Sequence, residues 1–194
     1  THFLDALSDG ADNATLRLFP QYQELQQLRG LEMAFELDLF YPNLAVQLPQ
    51  QILKPSQQDG AAARLKGLRG QYQQGLLRWL RQEDVPAALQ SMQQALGGAM
   101  FCEPQNDRRG FWWVGYVLIE CLKLDGLPPE MNVRKLLGRI DQQMRIAAEG
   151  ETRDSGEVQS VLNEMLYMIG RSYVDSDQVK AVKIVQHRHV ERRR

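Results

Sequence analysis

Apolar side chains recur at three- and four-residue intervals through most of this chain, the period of helices that each bury one stripe. The pattern is cleanest from Ala61 on. Leu65, Leu68, Tyr72, Leu76, Trp79 and Leu80 line one side of a first helix, with Asp59 placed to cap it. Asp84 is a favourable N-cap for the next helix, and Pro86 falls in its first turn, where a missing N–H costs little. That helix carries Val85, Leu89, Met92, Leu96 and Met100. A polar break follows over 103–110. The segment 111–124, FWWVGYVLIECLKL, is apolar nearly all round, which marks a central, buried helix. Gly126 with Pro128 and Pro129 ends it. Val133, Leu136, Leu137, Ile140 and Met144 predict a helix over 132–149. Asp154 and Glu157 have capping-box spacing for another, whose stripe is Val158, Val161, Leu162, Met165, Leu166, Ile169 and Tyr173. Asp175 and Gln178 repeat that start signal for a short last helix with Val179 and Val182.

Upstream the pattern is less regular. A helical region is predicted over 3–40, interrupted at Gly10 and kinked or restarted at Pro20, with Leu16, Phe19, Leu25, Leu28 and Leu31 along one side. Residues 41–60 hold Pro42, Pro49 and Pro55 and read as extended chain. Their apolar residues Leu44, Val46, Leu48, Ile52 and Leu53 imply that the segment lies against the body. The expected organisation is therefore N-terminal helices plus a proline-containing linker (1–60), a helical bundle (61–186) and a basic tail (187–194). No stretch alternates as a strand does. Short connections favour antiparallel neighbours, so the fold class is all-α, an up-and-down bundle.

Composition narrows the chemistry. The chain has 194 residues and a net charge of −1, so no overall field draws it to nucleic acid or anionic lipid. The basic end 187-HRHVERRR-194 reads as a solvated tail, not a nucleic-acid arm. The longest apolar run, Trp112 to Ile119, is far shorter than the roughly 20 residues that span a bilayer. No signal-peptide pattern opens the chain and Thr1 reads as the edge of a fragment, so a cytoplasmic location is expected.

All three histidines lie near the ends: His2, His187 and His189. With no CxxC and no HxxxH, no metal site and no cofactor are expected. Cys102 and Cys121 sit in apolar helical contexts without a histidine to activate them, so both read as buried free thiols. Gly97 and Gly98 follow no strand, and close helix packing explains them better than phosphate binding. Glu120, on the most apolar helix, either reaches solvent or pairs with an arginine such as Arg139. None of these groups forms a catalytic set, and no enzyme activity is expected of the chain.

One cluster suggests recognition. Phe111, Trp112 and Trp113 follow Arg108 and Arg109. Successive helix positions point about 100° apart, so three bulky rings do not easily all face inward. An exposed Trp beside Arg is typical of protein interfaces. Arg108, Arg109 and Trp112 are thus the candidate interaction surface. The competing reading buries the rings against the N-terminal segment.

The residues Leu28, Arg29, Gly30 and Glu32, then Phe40, Pro42, Leu44, Leu48 and Pro49, resemble the N-terminal region of the chemotaxis-type hybrid histidine kinases that govern type IV pili and twitching motility, and of their stand-alone FimL-like relatives. The likeness continues through 64–81, Trp112-Trp113, 134–145 and 164–172. It implies a histidine-phosphotransfer-like (Hpt-like) four-helix core with additional N-terminal helices, in a two-component pathway. Active domains of that kind carry a phosphoacceptor His in an Ala-His-x-Leu-Lys-Gly type helix. Here 65-LKGLRG-70 has the Lys-Gly, but Ala63 and Arg64 stand where the His would be. No phosphoacceptor is carried over. The resemblance implies a non-catalytic scaffold or regulatory domain whose partners are proteins: receiver domains of response regulators, kinases or pilus-regulatory proteins. The alternative is a fragment of a hybrid kinase phosphorelay whose acceptor His lies outside this chain.

Overall fold

The computed structural model describes residues 60–103, 106–151 and 154–183. The expectations for 1–59, including the cap at Asp59, and for 184–194 lie outside the described residues. Five helices make up most of the rest: α1 (Ala61–Leu80), α2 (Val85–Cys102), α3 (Asn106–Lys123), α4 (Met131–Glu149) and α5 (Ser155–Arg171). A further short helical stretch covers 177–183, and no strand occurs among the described residues. The chain is an all-α bundle, as its periodicity predicts.

The helices close into a ring in the order α1, α2, α3, α5, α4 and back to α1. Directions follow from matched residues. Gln71 of α1 bonds to Ser91 of α2 while Gly98 of α2 lies on Leu68 of α1, so α1 and α2 are antiparallel. Lys123 of α3 donates to Gln93 of α2 at 2.8 Å, with Gly97 beside Tyr116, so α2 and α3 are antiparallel too. Gly115 faces Met165, and Gly126 just after α3 faces Ser172 just after α5, so these two run parallel. Parallel neighbours arise because α4 crosses to pack on α1, which leaves the slot beside α3 for α5.

Sequence explains the middle of the ring. α2 contains no charged residue, and buries Ala88, Leu89, Met92, Ala95, Leu96, Ala99 and Met100 between α1 and α3. Two glycines permit the α1–α2 approach. A Cβ on Gly75 would lie 2.8 Å from the Ala88 carbonyl oxygen, and one on Gly98 would lie 2.6 Å from Leu68. Close packing accounts for Gly98, as expected, whereas Gly97 has room for a Cβ.

Caps decide most boundaries. Asp84 caps α2 by accepting from the Ala87 N–H (3.4 Å), and Asp154 caps α5 by accepting from the Gly156 N–H (3.0 Å). The α3 terminus differs from expectation. Asp125, not Gly126, takes the left-handed conformation (φ 53°), and the Gly126 N–H returns to the Cys121 carbonyl at 2.8 Å. Gly126 is needed for space: a Cβ there would lie 2.2 Å from Val174 and 2.5 Å from the Ser172 hydroxyl. The last helical stretch likewise starts one residue later than predicted. Ser176 is its cap, accepting from the Val179 N–H at 3.2 Å. Gln178 instead accepts from the Trp113 indole N–H at 3.0 Å.

Two stripe assignments need correcting. Leu80 is exposed, because it is the last residue of its helix and lies at the open end of the bundle. Tyr173 is 96% exposed, because α5 ends at Arg171 and the chain turns away before the ring can reach the core. The polar break of 103–110 is also shorter than predicted, since α3 begins at Asn106.

Candidate docking surface

The cluster that most resembled an interface in sequence is largely internal. Trp112 is fully buried, with its ring edge-on to Phe111 (centroids 4.9 Å apart, planes at 87°). Trp113 is buried as well, held by its bond to Gln178. All three rings find room because α3 is surrounded, by α2, α5 and the 177–183 stretch. Arg109 is buried too: its Nε donates to the Glu103 backbone carbonyl at 2.6 Å, tying the α2–α3 connection together. Of the three predicted residues only Arg108 is exposed, 3.9 Å from the carboxylate of Glu103.

The exposed apolar side chains lie elsewhere. Leu77 and Leu80 end α1, Leu124 follows α3, Met131 opens α4 and Tyr173 follows α5. Given the helix directions, these five share one end of the bundle. Phe101 is exposed at the other end, with Arg108. The apolar end also holds every left-handed non-glycine residue among those described: Gln82, Asp84 and Asp125. Such backbone costs about 1–3 kcal/mol per residue and often accompanies recognition sites. Sequence reading passed over Leu77, Leu124 and Met131. The available signal was that each lies one or two positions off its helix's buried stripe, beside a turn.

Charged groups form ordinary surface networks. Arg139 of α4 bonds to Glu157, Ser160 and Glu164 of α5, so it is not the partner of Glu120, which is partly exposed. Burial raises the Glu164 carboxyl above the usual carboxylate value, against the pull of Arg139. On the opposite side of α4, Asp141 receives Arg69 (3.2 Å) and Gln73 (3.1 Å) from α1. Beneath them the Tyr72 hydroxyl donates to the Leu137 carbonyl at 3.0 Å. Burial first, and Asp141 second, push the Tyr72 hydroxyl well above its ordinary value.

Cys102 and Cys121 are buried free thiols, as predicted. Burial raises both, so they stay protonated and weakly nucleophilic at neutral pH. Among the described residues no group of three or more His, Cys, Asp or Glu side chains could hold a metal ion. No helix among them is long and apolar enough to cross a membrane.

A family model described as the FimL scaffold protein second domain matches residues 57–185. The chain belongs to that family. No curated protein and no solved structure is detectably similar to it. Membership puts the chain among domains of a scaffold protein, whose partners are proteins. It also accords with the FimL-like resemblance read from the helical motifs.

Proposed function

We propose that this domain is a non-catalytic docking platform in the cytoplasm, serving a two-component, chemotaxis-like pathway linked to type IV pili and twitching motility. The unit that docks is residues 61–186, and its partners are receiver domains of response regulators, kinases or pilus-regulatory proteins. The observation that carries this reading is the gathering of Leu77, Leu80, Leu124, Met131 and Tyr173 at one end of a domain of a scaffold family. Exposed apolar patches rimmed by polar groups mark protein contacts. The rim here is mixed, with Arg81, Glu83, Asp125 and Glu130 all exposed. The absence of histidine from residues 3–186 supports a platform in place of a phosphorelay step. Arg108, though exposed, lies at the far end and is assigned no part.

The test is calorimetric titration of the full chain with a purified receiver domain from such a pathway. Binding is expected, and L77S combined with M131S should weaken it at least about tenfold, as loss of central apolar contacts does. Equal binding by the double variant would reject the apolar end as the surface. A companion incubation with an active chemotaxis-type kinase and ATP should leave residues 3–186 without acid-labile phosphate.

A further inference from the structure

α2 presents an outer stripe that bears no charge. Its side chains at Pro86, Gln90, Gln94 and Phe101 are exposed, and Gly97, between the last two, is half-buried. Each of the other four helices carries charged side chains, whereas α2 has none along its length. The outer face of a surface helix is ordinarily charged. Loss of charge together with an exposed aromatic ring is the composition of an interface core. The flank on α1 is neutral as well, with Gln71 and Gln74. The flank on α3 holds Tyr116, then Glu120 and Lys123, which are of opposite sign on successive turns.

Gln71 donates to the Gln94 side chain at 3.4 Å, and Lys123 donates to the Gln90 side chain. Each contact engages an amide oxygen and leaves an amide N–H2 group to donate elsewhere. A Cβ on Gly97 would sit in ordinary contact, 3.6 Å from the Tyr116 ring. Glycine inside a helix is less stable than alanine, so the domain's own packing gains nothing from it here. The order of residues along the stripe says what lies against it. The stripe is symmetrical about the midpoint between Gln93 and Gln94: Pro86 and Phe101 stand equally far from that point, and so do Gln90 and Gly97. Laid antiparallel on a copy of itself, the helix sets each Phe101 ring on the other's Pro86 and each Gln90 on the other's bare Gly97. The two Gln94 side chains then stand side by side at the two-fold axis. A charge-free stripe meets its own copy without like-charge repulsion, and such self-complementary two-fold contacts are the commonest in oligomers.

We infer that the exposed face of α2 is a two-fold, antiparallel dimer interface, and that its occupant is the α2 of a second copy of this chain. The apolar end of each bundle lies at the start of its α2, so the pairing sends the two apolar ends to opposite poles of the dimer. The inference does not rest on the proposed receiver partner, whose surface is a different one.

The test is sedimentation of the full chain over a concentration series, joined to disulfide trapping of Q94C. The parent should pass from monomer to dimer as concentration rises. Mild oxidation should link Q94C to its own copy in a dimer band. Q159C on α5, and the parent with its buried thiols, should stay unlinked. Q94E and Q94K, each with unchanged helical circular dichroism, should raise the dimer dissociation constant at least about tenfold, because like charges then meet at the axis. Mixing the two should restore a dimer that holds one copy of each. A parent that stays monomeric throughout would overturn the inference, as would a Q94C variant that forms no dimer link. So would a dimer indifferent to Q94E and Q94K. A dimer dispersed by L77S with M131S but not by Q94E would move the contact to the apolar end and likewise reject the α2 face.

Discussion

The two ends of the bundle invert what their sequences suggest. One is built from neighbours in sequence, Glu103, Arg108, Arg109, Phe111, Trp112 and Trp113, and has the composition of an interface. It is nonetheless mostly interior, since α3 is enclosed and Arg109 is used to hold a carbonyl. The other is assembled from Leu77, Leu80, Leu124, Met131 and Tyr173, spread over nearly a hundred residues, and it is the one that leaves apolar surface in water. Enriched composition identifies groups able to recognise a partner. Only exposure says which of them are free to do so.

That contrast can be broken at its interior end first. Trp112→Ala should cost about 3–5 kcal/mol, as large-to-small changes in a packed core do, measured by denaturant melts. A cost below about 1 kcal/mol would put the ring at the surface and restore the sequence reading. Arg109→Ala comes next, at about 1.5–3 kcal/mol, because it leaves the Glu103 carbonyl without its charged donor in a buried place. A neutral result in the same melts would mean the α2–α3 connection holds itself.

Tyr72→Phe, midway between the ends, should cost about 1 kcal/mol at neutral pH through loss of the bond to Leu137. It also changes the alkaline behaviour. The Tyr72 hydroxyl is raised when folded, so its contribution is fully present below the ordinary tyrosine value of about 10 and is lost as pH rises toward the folded value. The parent should therefore lose stability above about pH 10, and the Phe variant should lose less. Parallel slopes in melts from pH 8 to 11 would show that Tyr72 ionises freely. The smallest effect belongs to the exposed end: Leu77→Ser should move stability by no more than about 0.5 kcal/mol while weakening partner binding. A cost of several kcal/mol would show that Leu77 is core.

Much of the architecture was legible along the chain, and for identifiable reasons. Val133, Leu136, Leu137, Ile140 and Met144 all prove buried, because a three-to-four stripe has one face to bury and a bundle has one place to put it. Asp84 and Asp154 cap as read, since their signals are local. Asp125 and Ser176 were misread because Gly126 and Gln178 are determined by distant partners, Val174 and Trp113, that no local rule includes. The candidate site fared worse, since exposure of one side chain depends on which other helix covers it.

Sequence alone therefore determined that this is an all-α chain, where most of its helices run, which stripe each buries, and that no histidine stands in its body. Those follow from the 3.6-residue period and from side-chain chemistry, both properties of short stretches. The tertiary structure alone decided that α4 crosses to α1 so that α3 and α5 run parallel. It decided that Trp112 and Arg109 are enclosed, and that Leu77, Leu124, Met131 and Tyr173 meet at one end. Contacts between residues far apart in sequence depend on how helices stack, and one stripe can be satisfied by several neighbours; the choice among them is made only when the whole ring closes.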